Sequence, residues 1–330
     1  MNEPHFWRDL DPKSRASAPV SRFLLTPLSK LYAWAGRRRI ETTTPEDPGL
    51  PVICVGNLTL GGAGKTPVSA EIRRRIALRG LRVATLSRGY KGSEPGPLEV
   101  DPARNTTAQT GDEPLMLSAT GESWIAKDRI AGAKAMREAG VQVIVMDDGH
   151  QNPLLKKSLS IVVIDAGEPF GNRHVFPKGP LREPVARGLS RADAVVLMGE
   201  GPVPPELQDW ANPVLRAGLA PAAPLPAGTY VAFAGIGRPQ RFFDSLRGTP
   251  GVVLADDVPY PDHHAFMASD LAYLRKLAAE RGAKLVTTEK DFVRLPAEMQ
   301  AEVANAAVTA KFEDEAALES LISRGLGGRS

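Results

Sequence analysis

The chain has 330 residues, 42% hydrophobic and 24% charged, enough for one large or two medium domains with a full core. A formal net charge of +3 is too small to argue for nucleic acid, and the single cysteine, Cys54, excludes an internal disulfide and reads as a packing residue of a protein in a reducing compartment. No run approaches the ~18 apolar residues that span a bilayer, and the polar start from Met1 to Arg15 lacks the apolar segment of a signal peptide, so the protein is expected to stay where it is made.

Residues 1–45 form a basic arm. Thr26 and Pro27 read as the cap and first turn of a helix. Leu28, Leu31, Tyr32 and Ala35 follow at helical spacing, with Trp34 near them and Arg15, Arg22, Lys30, Arg37, Arg38 and Arg39 around them. Apolar, aromatic and basic residues together suit a helix lying in a membrane interface. A helix packed on the domain fits the same pattern.

From residue 50 strands and helices alternate. Leu50–Val55, Arg82–Leu86, Val141–Met146, Ser160–Ile164 and Ala194–Met198 read as buried strands, with helices at Pro67–Arg79 and Arg129–Ala139. Such Val/Ile runs predict an α/β fold, a parallel sheet covered by helices on both faces. The Pro/Ala-rich stretch Gly218 to Gly228 reads as a linker. Beyond it a smaller α/β unit is expected, with strands Tyr230–Ala234, Gly251–Ala255, Lys284–Thr287 and Val308–Phe312 and helices Gln240–Arg247, Ala268–Arg281 and Glu315–Arg324. The tail Gly325–Ser330 is expected to fray. The division is therefore 1–45, 46–225 and 226–330.

The first strand leads into Gly61-Gly62-Ala63-Gly64-Lys65-Thr66-Pro67. This matches the end of the phosphate-loop pattern G-x-x-x-x-G-K-[ST], but the first glycine is replaced by Thr59. Strand before and helix after are the right context. Backbone N–H groups would cradle phosphates, Lys65 would neutralise β/γ charge, and the Thr66 hydroxyl would bind Mg²⁺. Asp147-Asp148, directly after Val143–Met146, would supply the acidic group for that metal. These features predict an ATP-using kinase or NTPase without naming an acceptor.

Two weaker candidates remain open on their residues alone. Gly111-Asp112-Glu113-Pro114 is either an acidic site element or a helix cap. His263-His264, after Asp262, allows metal ligation or an Asp–His pair acting on a hydroxyl. His5, His150 and His174 read as structural or surface groups. Thr287-Thr288-Glu289-Lys290-Asp291 reads as a helix cap, with nucleotide contact as the alternative.

Taken together, Val55 to Pro67, Leu86-Ser87-Arg88-Gly89-Tyr90, Gly111-Asp112-Glu113-Pro114, Asp147-Asp148-Gly149-His150-Gln151, Gly179-Pro180-Leu181-Arg182-Glu183-Pro184 and Asp262-His263 closely resemble the tetraacyldisaccharide 4′-kinases of lipid A biosynthesis. In that family the loop carries the same non-glycine at the position of Thr59, and Phe often stands at His150. The resemblance implies transfer of phosphate from ATP to the 4′-hydroxyl of a tetraacylated disaccharide 1-phosphate, giving lipid IVA. It implies Asp112 and His263 as a pair activating that hydroxyl, with His264 the alternative match, and Lys65 on the phosphates. It further implies Thr66, Glu113, Asp147 and Asp148 around Mg²⁺, and Arg88, Asn172 and Arg173 on the lipid headgroup. Acyl chains cost roughly 0.8 kcal/mol per exposed CH₂, so the enzyme would work at the membrane, on the cytoplasmic face of the bacterial inner membrane, with the basic arm as its contact. No nucleic acid and no obligate protein partner are expected. The competing reading is a P-loop NTPase acting as a nucleotide-switched assembly or metal-insertion module.

Overall fold

A computed structural model describes residues 4–8 and 18–327. The first helix, α1, runs over Pro19–Thr42 and starts with Pro19, not at Thr26. Thr26 lies inside it and donates its hydroxyl to the Arg22 carbonyl at 2.9 Å, one turn back, as a helix-interior threonine does. Pro27 is therefore an interior proline. Only Ser29 is buried on α1, donating to the Val175 carbonyl at 2.6 Å, and Tyr32 packs edge-on against Phe176. Arg15 of the expected basic set lies outside the described residues.

The core follows in chain order: β1 (Val52–Gly56), α2 (Lys65–Leu78), β2 (Val83–Ser87), β3 (Leu98–Glu99), α3 (Thr107–Thr110), α4 (Asp112–Ser118), β4 (Ser123–Ile125), α5 (Arg129–Glu138), β5 (Val143–Asp147), β6 (Leu159–Asp165), α6 (Val185–Leu189), β7 (Ala194–Met198) and β8 (Val214–Pro221). Then come β9 (Gly228–Ala234), α7 (Pro239–Arg247), β10 (Val252–Pro259), α8 (Ala268–Arg281), β11 (Lys284–Thr288), α9 (Glu289–Phe292), α10 (Ala297–Gln300), β12 (Val303–Ala306), β13 (Val308–Phe312) and α11 (Glu315–Gly325).

A nine-stranded sheet has the order β13-β8-β7-β6-β1-β5-β2-β4-β3, and a four-stranded sheet the order β10-β9-β11-β12. The large sheet is mixed: its interior is parallel, and antiparallel pairs sit at both edges, β3 on β4 and β13 on β8. Alternation along β1 explains the layers. Ile53 and Val55 pack with Ile72 and Ile76 of α2 and Leu318 and Ile322 of α11. Val52 and Cys54 point the other way, onto Ala133 and Met136 of α5. In the small sheet Val231 and Phe233 meet α8, while Tyr230 and Ala232 meet Phe243 and Leu246 of α7.

Two expected groupings differ. Residues 218–221 of the supposed linker are the end of β8, between β7 and β13. Val308–Phe312 and the last helix, expected in the second unit, join the large sheet: only Ala307 separates β12 at the edge of one sheet from β13 at the edge of the other. The reason is burial, since Ala310, Phe312, Leu318, Leu321 and Ile322 all sit in the core under α2. Leu326, in the tail expected to fray, is buried; residues 328–330 lie outside the described part.

Candidate active site

The phosphate loop shows why position 59 needs no glycine. Thr59 forms an isolated bridge with Leu181, the Leu60 N–H donates to the Pro180 carbonyl at 2.7 Å, and the Arg182 N–H donates to the Leu58 carbonyl at 2.7 Å. This part of the loop is extended and pinned by the Gly179–Pro184 segment. The left-handed positions fall later, at Gly61 (φ 113°) and Gly64 (φ 81°). A Cβ at Gly64 would also lie 2.9 Å from Met198 Cγ. Gly62 has open space around it, Ala63 is buried, and Pro67 sits in the first turn of α2, where its missing N–H is harmless. Gln151 ties the loop to its neighbours, donating to the Asn57 carbonyl at 2.9 Å and to Glu183 at 3.1 Å.

Register places the acidic turn beside this loop, with Val55 of β1 opposite Asp147 of β5. Asp147 is buried and accepts from Ser69 Oγ at 2.8 Å and Thr66 Oγ1 at 3.4 Å. Burial pushes its carboxyl up to about 6, against the pull of Lys65. Asp148 follows at φ 54°. It accepts both arms of Arg182, at 2.8 and 3.0 Å, and lies 3.7 Å from Lys65 Nζ. The surrounding protein alone would raise its pKa, but Lys65 and Arg182 outweigh that and hold it at about 2. Hard oxygens from a hydroxyl and a carboxylate suit Mg²⁺, which is commonly held by one or two carboxylates plus substrate phosphates. Among the described residues there is no group of three or more His, Cys, Asp or Glu side chains arranged to hold a metal. Thr66 and Asp147 are the pair that fits.

The second constellation joins the two sheets. Gly111 (φ 86°) turns the chain into α4, whose first residue is Asp112. Its Oδ2 lies 2.8 Å from His263 Nδ1 and accepts from Arg294 Nη2 at 2.5 Å. Burial would push the Asp112 carboxyl up, but His263 and Arg294 hold it well below the usual range. His263 sits at φ 61°, its N–H on the Gly235 carbonyl at 3.0 Å. That left-handed turn sends two adjacent imidazoles to different partners: His263 to Asp112, and His264 to Asp270 at 2.8 Å, stacked on Tyr260. Lys290 Nζ lies 3.4 Å from His263 Nε2 and 3.9 Å from Glu113. Thr288 caps α9 by accepting from the Asp291 N–H, as the sequence suggested, and the same short helix delivers Lys290 to the site.

The residues expected on a lipid headgroup are less uniform. Arg88 is exposed just past β2. Asn172 is buried, and its amide is spent on backbone: it donates to the carbonyls of Phe6 at 2.9 Å and Lys178 at 3.0 Å and accepts from the His174 N–H at 3.1 Å. Arg173, at φ 63°, pairs with Glu206 at 3.0 Å. The sequence reading assigned no role to Arg182, Lys290, Arg294 or Arg129. Arg129 is a buried guanidinium, pulled down to about 10 by burial and by Arg88. None of these four repeats at a telling spacing; only Arg182 stood within a recognisable motif.

A glycine loop with its lysine and threonine, an acidic turn beside it and an aspartate–histidine pair are the kinds of group that phosphoryl transfer asks of a protein. Fold and site thus define a P-loop phosphotransferase. A family model described as tetraacyldisaccharide-1-P 4'-kinase (LpxK) matches residues 21–326. The chain is 58% identical over 324 residues to the tetraacyldisaccharide 4'-kinase of Hyphomonas neptunium, with 98% of this chain and 97% of that one covered. It is 51% identical over 329 residues to that of Maricaulis maris, with 98% and 96% covered. Its fold is similar to the crystal structure of LpxK from Aquifex aeolicus in complex with ATP, at a TM-score of 0.74 and 26% identity, covering 92% of this chain and 99% of that one. The chain belongs to the tetraacyldisaccharide 4′-kinase family and is an ATP-binding kinase. The assembly-module reading is not supported.

Proposed function

We propose that this kinase transfers the γ-phosphoryl group of ATP to the 4′-hydroxyl of a tetraacylated glucosamine disaccharide 1-phosphate, giving lipid IVA. The observation that carries the roles is the 2.8 Å contact between His263 and Asp112, residues 151 apart in sequence. Asp112 and Arg294 fix the imidazole. With the Nδ1 proton on Asp112, Nε2 is the ring's acceptor, with Lys290 Nζ 3.4 Å away, and takes the proton of the attacking hydroxyl, an effect worth ~10²–10⁴-fold. Lys65 and the loop N–H groups hold the phosphates. Thr66 and Asp147 would hold Mg²⁺, which neutralises β/γ charge when bound, and Glu113 and Asp148 stand around them. Arg88 remains the headgroup candidate best placed to bind, because Asn172 is committed to backbone and Arg173 to Glu206.

The same reading places the enzyme at the cytoplasmic face of the inner membrane. Among the described residues no helix is long and apolar enough to cross a membrane. Yet α1 exposes Val20, Phe23, Leu24, Leu28, Leu31, Tyr32 and Trp34, with Phe23 77% exposed. Over 24 residues, about 36 Å of helix, this apolar length flanked by Arg22, Lys30, Arg37, Arg38 and Arg39 suits an anionic interface. The molecule would then consist of a membrane arm, the nine-stranded nucleotide core and a smaller unit built on β9–β12. Purified protein given ATP, Mg²⁺, detergent and the disaccharide 1-phosphate should yield 4′-phosphorylated product; no such product across several detergents and metals overturns the proposal.

A further inference from the structure

Asp148 occupies a backbone conformation that a non-glycine residue adopts at an energetic cost, φ 54°. Such a conformer persists only where its surroundings over-determine it. Three groups of contacts surround it here. Directly after Asp148, the Gly149 N–H reaches the Val55 carbonyl at 3.4 Å. Downstream, Lys157 Nζ donates to two successive carbonyls, Gly149 O at 2.8 Å and His150 O at 2.9 Å. The His150 ring, buried, is held from both sides by Ser160 Oγ and the Gly188 carbonyl, each at 3.0 Å. Nε2 faces a carbonyl and must donate, and burial, with the nearby Lys157 charge, keeps the ring neutral, which leaves Nδ1 to accept from Ser160. A side chain at Gly149 would have to displace the buried Met146, since a Cβ there would lie 2.1 Å from Met146 Sδ and 3.0 Å from Cys54 Sγ.

The ammonium of Lys157 thus holds the Gly149–His150 and His150–Gln151 peptide units, the second and third after Asp148. It forms no hydrogen bond to Asp147 or Asp148, yet it anchors the turn from which the Asp148 carboxylate projects. That carboxylate in turn receives both arms of Arg182 and approaches Lys65. Arg182 also donates through Nε to the Thr59 carbonyl at 3.1 Å, so the position of Asp148 reaches the phosphate loop itself.

We propose that Lys157 is a positioning residue for phosphoryl transfer: by clamping the Gly149 and His150 carbonyls it holds Asp148 in its left-handed conformer, and so sets Lys65 and Arg182 against the loop. The proposal rests on the phosphoryl-transfer reading above. It is tested with Lys157→Met and Lys157→Arg in the full-length enzyme, measuring kcat, KM for ATP, thermal midpoint and hydrogen exchange in residues 147–152. Lys157→Met is expected to lower kcat about ten- to a hundredfold, with KM for ATP within about threefold. Exchange at 147–152 should rise while the thermal midpoint stays within a few degrees. Lys157→Arg, which can donate to the same two carbonyls, should recover kcat to within about threefold. A Lys157→Met enzyme with kcat within about twofold of wild type overturns the proposal. So does global destabilisation of both variants, which would make the lysine a structural support only. Wild-type protein that fails to phosphorylate the disaccharide defeats the functional reading instead, and the exchange measurement then still decides the role of Lys157 in the turn.

Discussion

Replacing Asp112 with asparagine keeps the shape of the side chain and removes its charge. The carboxylate Oδ2 now meets both His263 Nδ1 at 2.8 Å and Arg294 Nη2 at 2.5 Å. A carboxamide turns one end into a donor. Because one oxygen meets both partners, the amide oxygen must keep that position, since an NH₂ there would face the Arg294 guanidinium; both contacts survive, but the negative charge that stabilises the imidazole once it has taken a proton is lost. The expected loss in kcat is ~10²–10⁴-fold, about 3–5 kcal/mol of transition-state stabilisation. ATP affinity should hold within about threefold, because no phosphate-loop group is touched. Single-turnover transfer to the disaccharide, beside titration of a fluorescent nucleotide, separates the two quantities. A variant with kcat within about fivefold of wild type would refute the pairing. Acid stability gives an independent check. Burial raises the Asp112 pKa, but His263 and Arg294 hold it below its unfolded value of about 3.9. Its stabilising contribution is therefore complete above that value and is lost as pH falls through the depressed folded pKa. Asp112→Asn should be less stable at neutral pH, with a shallower loss of stability below about pH 4 in denaturant titrations.

Lys65→Ala removes the cation 3.7 Å from Asp148 and should cut kcat/KM by about 10²-fold or more in steady-state assays; near-normal kinetics would remove Lys65 from the phosphate site. Arg294→Met leaves Asp112 without its guanidinium and strips Asp291, wholly buried, of a 2.8 Å partner. Breaking such a buried pair from one side should cost about 3–5 kcal/mol in urea unfolding, and a loss under about 1 kcal/mol would mean the pair is not holding the two sheets together. Charging the α1 surface with Phe23→Glu and Leu24→Glu, 77% and 67% exposed, should release the protein from anionic vesicles in sedimentation assays while leaving soluble ATP binding intact. Unchanged vesicle binding would remove α1 from the membrane contact.

How far the sequence carried depends on whether a feature is written in neighbouring residues. The interior strands were legible because a parallel strand buried on both faces must be apolar throughout, as Val52–Val55, Val143–Met146 and Ala194–Met198 are. Antiparallel edges were not. Residues 218–221 look like linker because alanine, proline and glycine dominate; only pairing with β13, over eighty residues later, makes them strand. The start of α1 was misplaced because Pro27 resembles a first-turn proline, whereas Pro19 occupies that position. In the site, the loop and acidic turn are contiguous motifs and were read directly. Asp112 and His263 were ambiguous alone and became a pair through family resemblance. Lys290 lies on a four-residue helix and Arg294 just after it, with no pattern of their own, and only the tertiary fold gives them partners.

The four carboxylates of the site are sorted by what surrounds them, not by their chemistry. Asp112 and Asp148 each take a guanidinium, from Arg294 and Arg182, which holds them ionised and leaves much of their hydrogen-bonding capacity committed. Glu113 lies within ion-pair range of Lys290. Asp147 alone is buried without a guanidinium, bonded only to the hydroxyls of Ser69 and Thr66, with burial pushing its carboxyl up to about 6. A carboxylate in that state gains most from an arriving cation, because the ion supplies the charge that the protein withholds. The arginines thus sort the carboxylates: by pairing with Asp112 and Asp148 they leave Asp147, next to Thr66, as the carboxylate that would have most to gain from a metal arriving with the nucleotide phosphates.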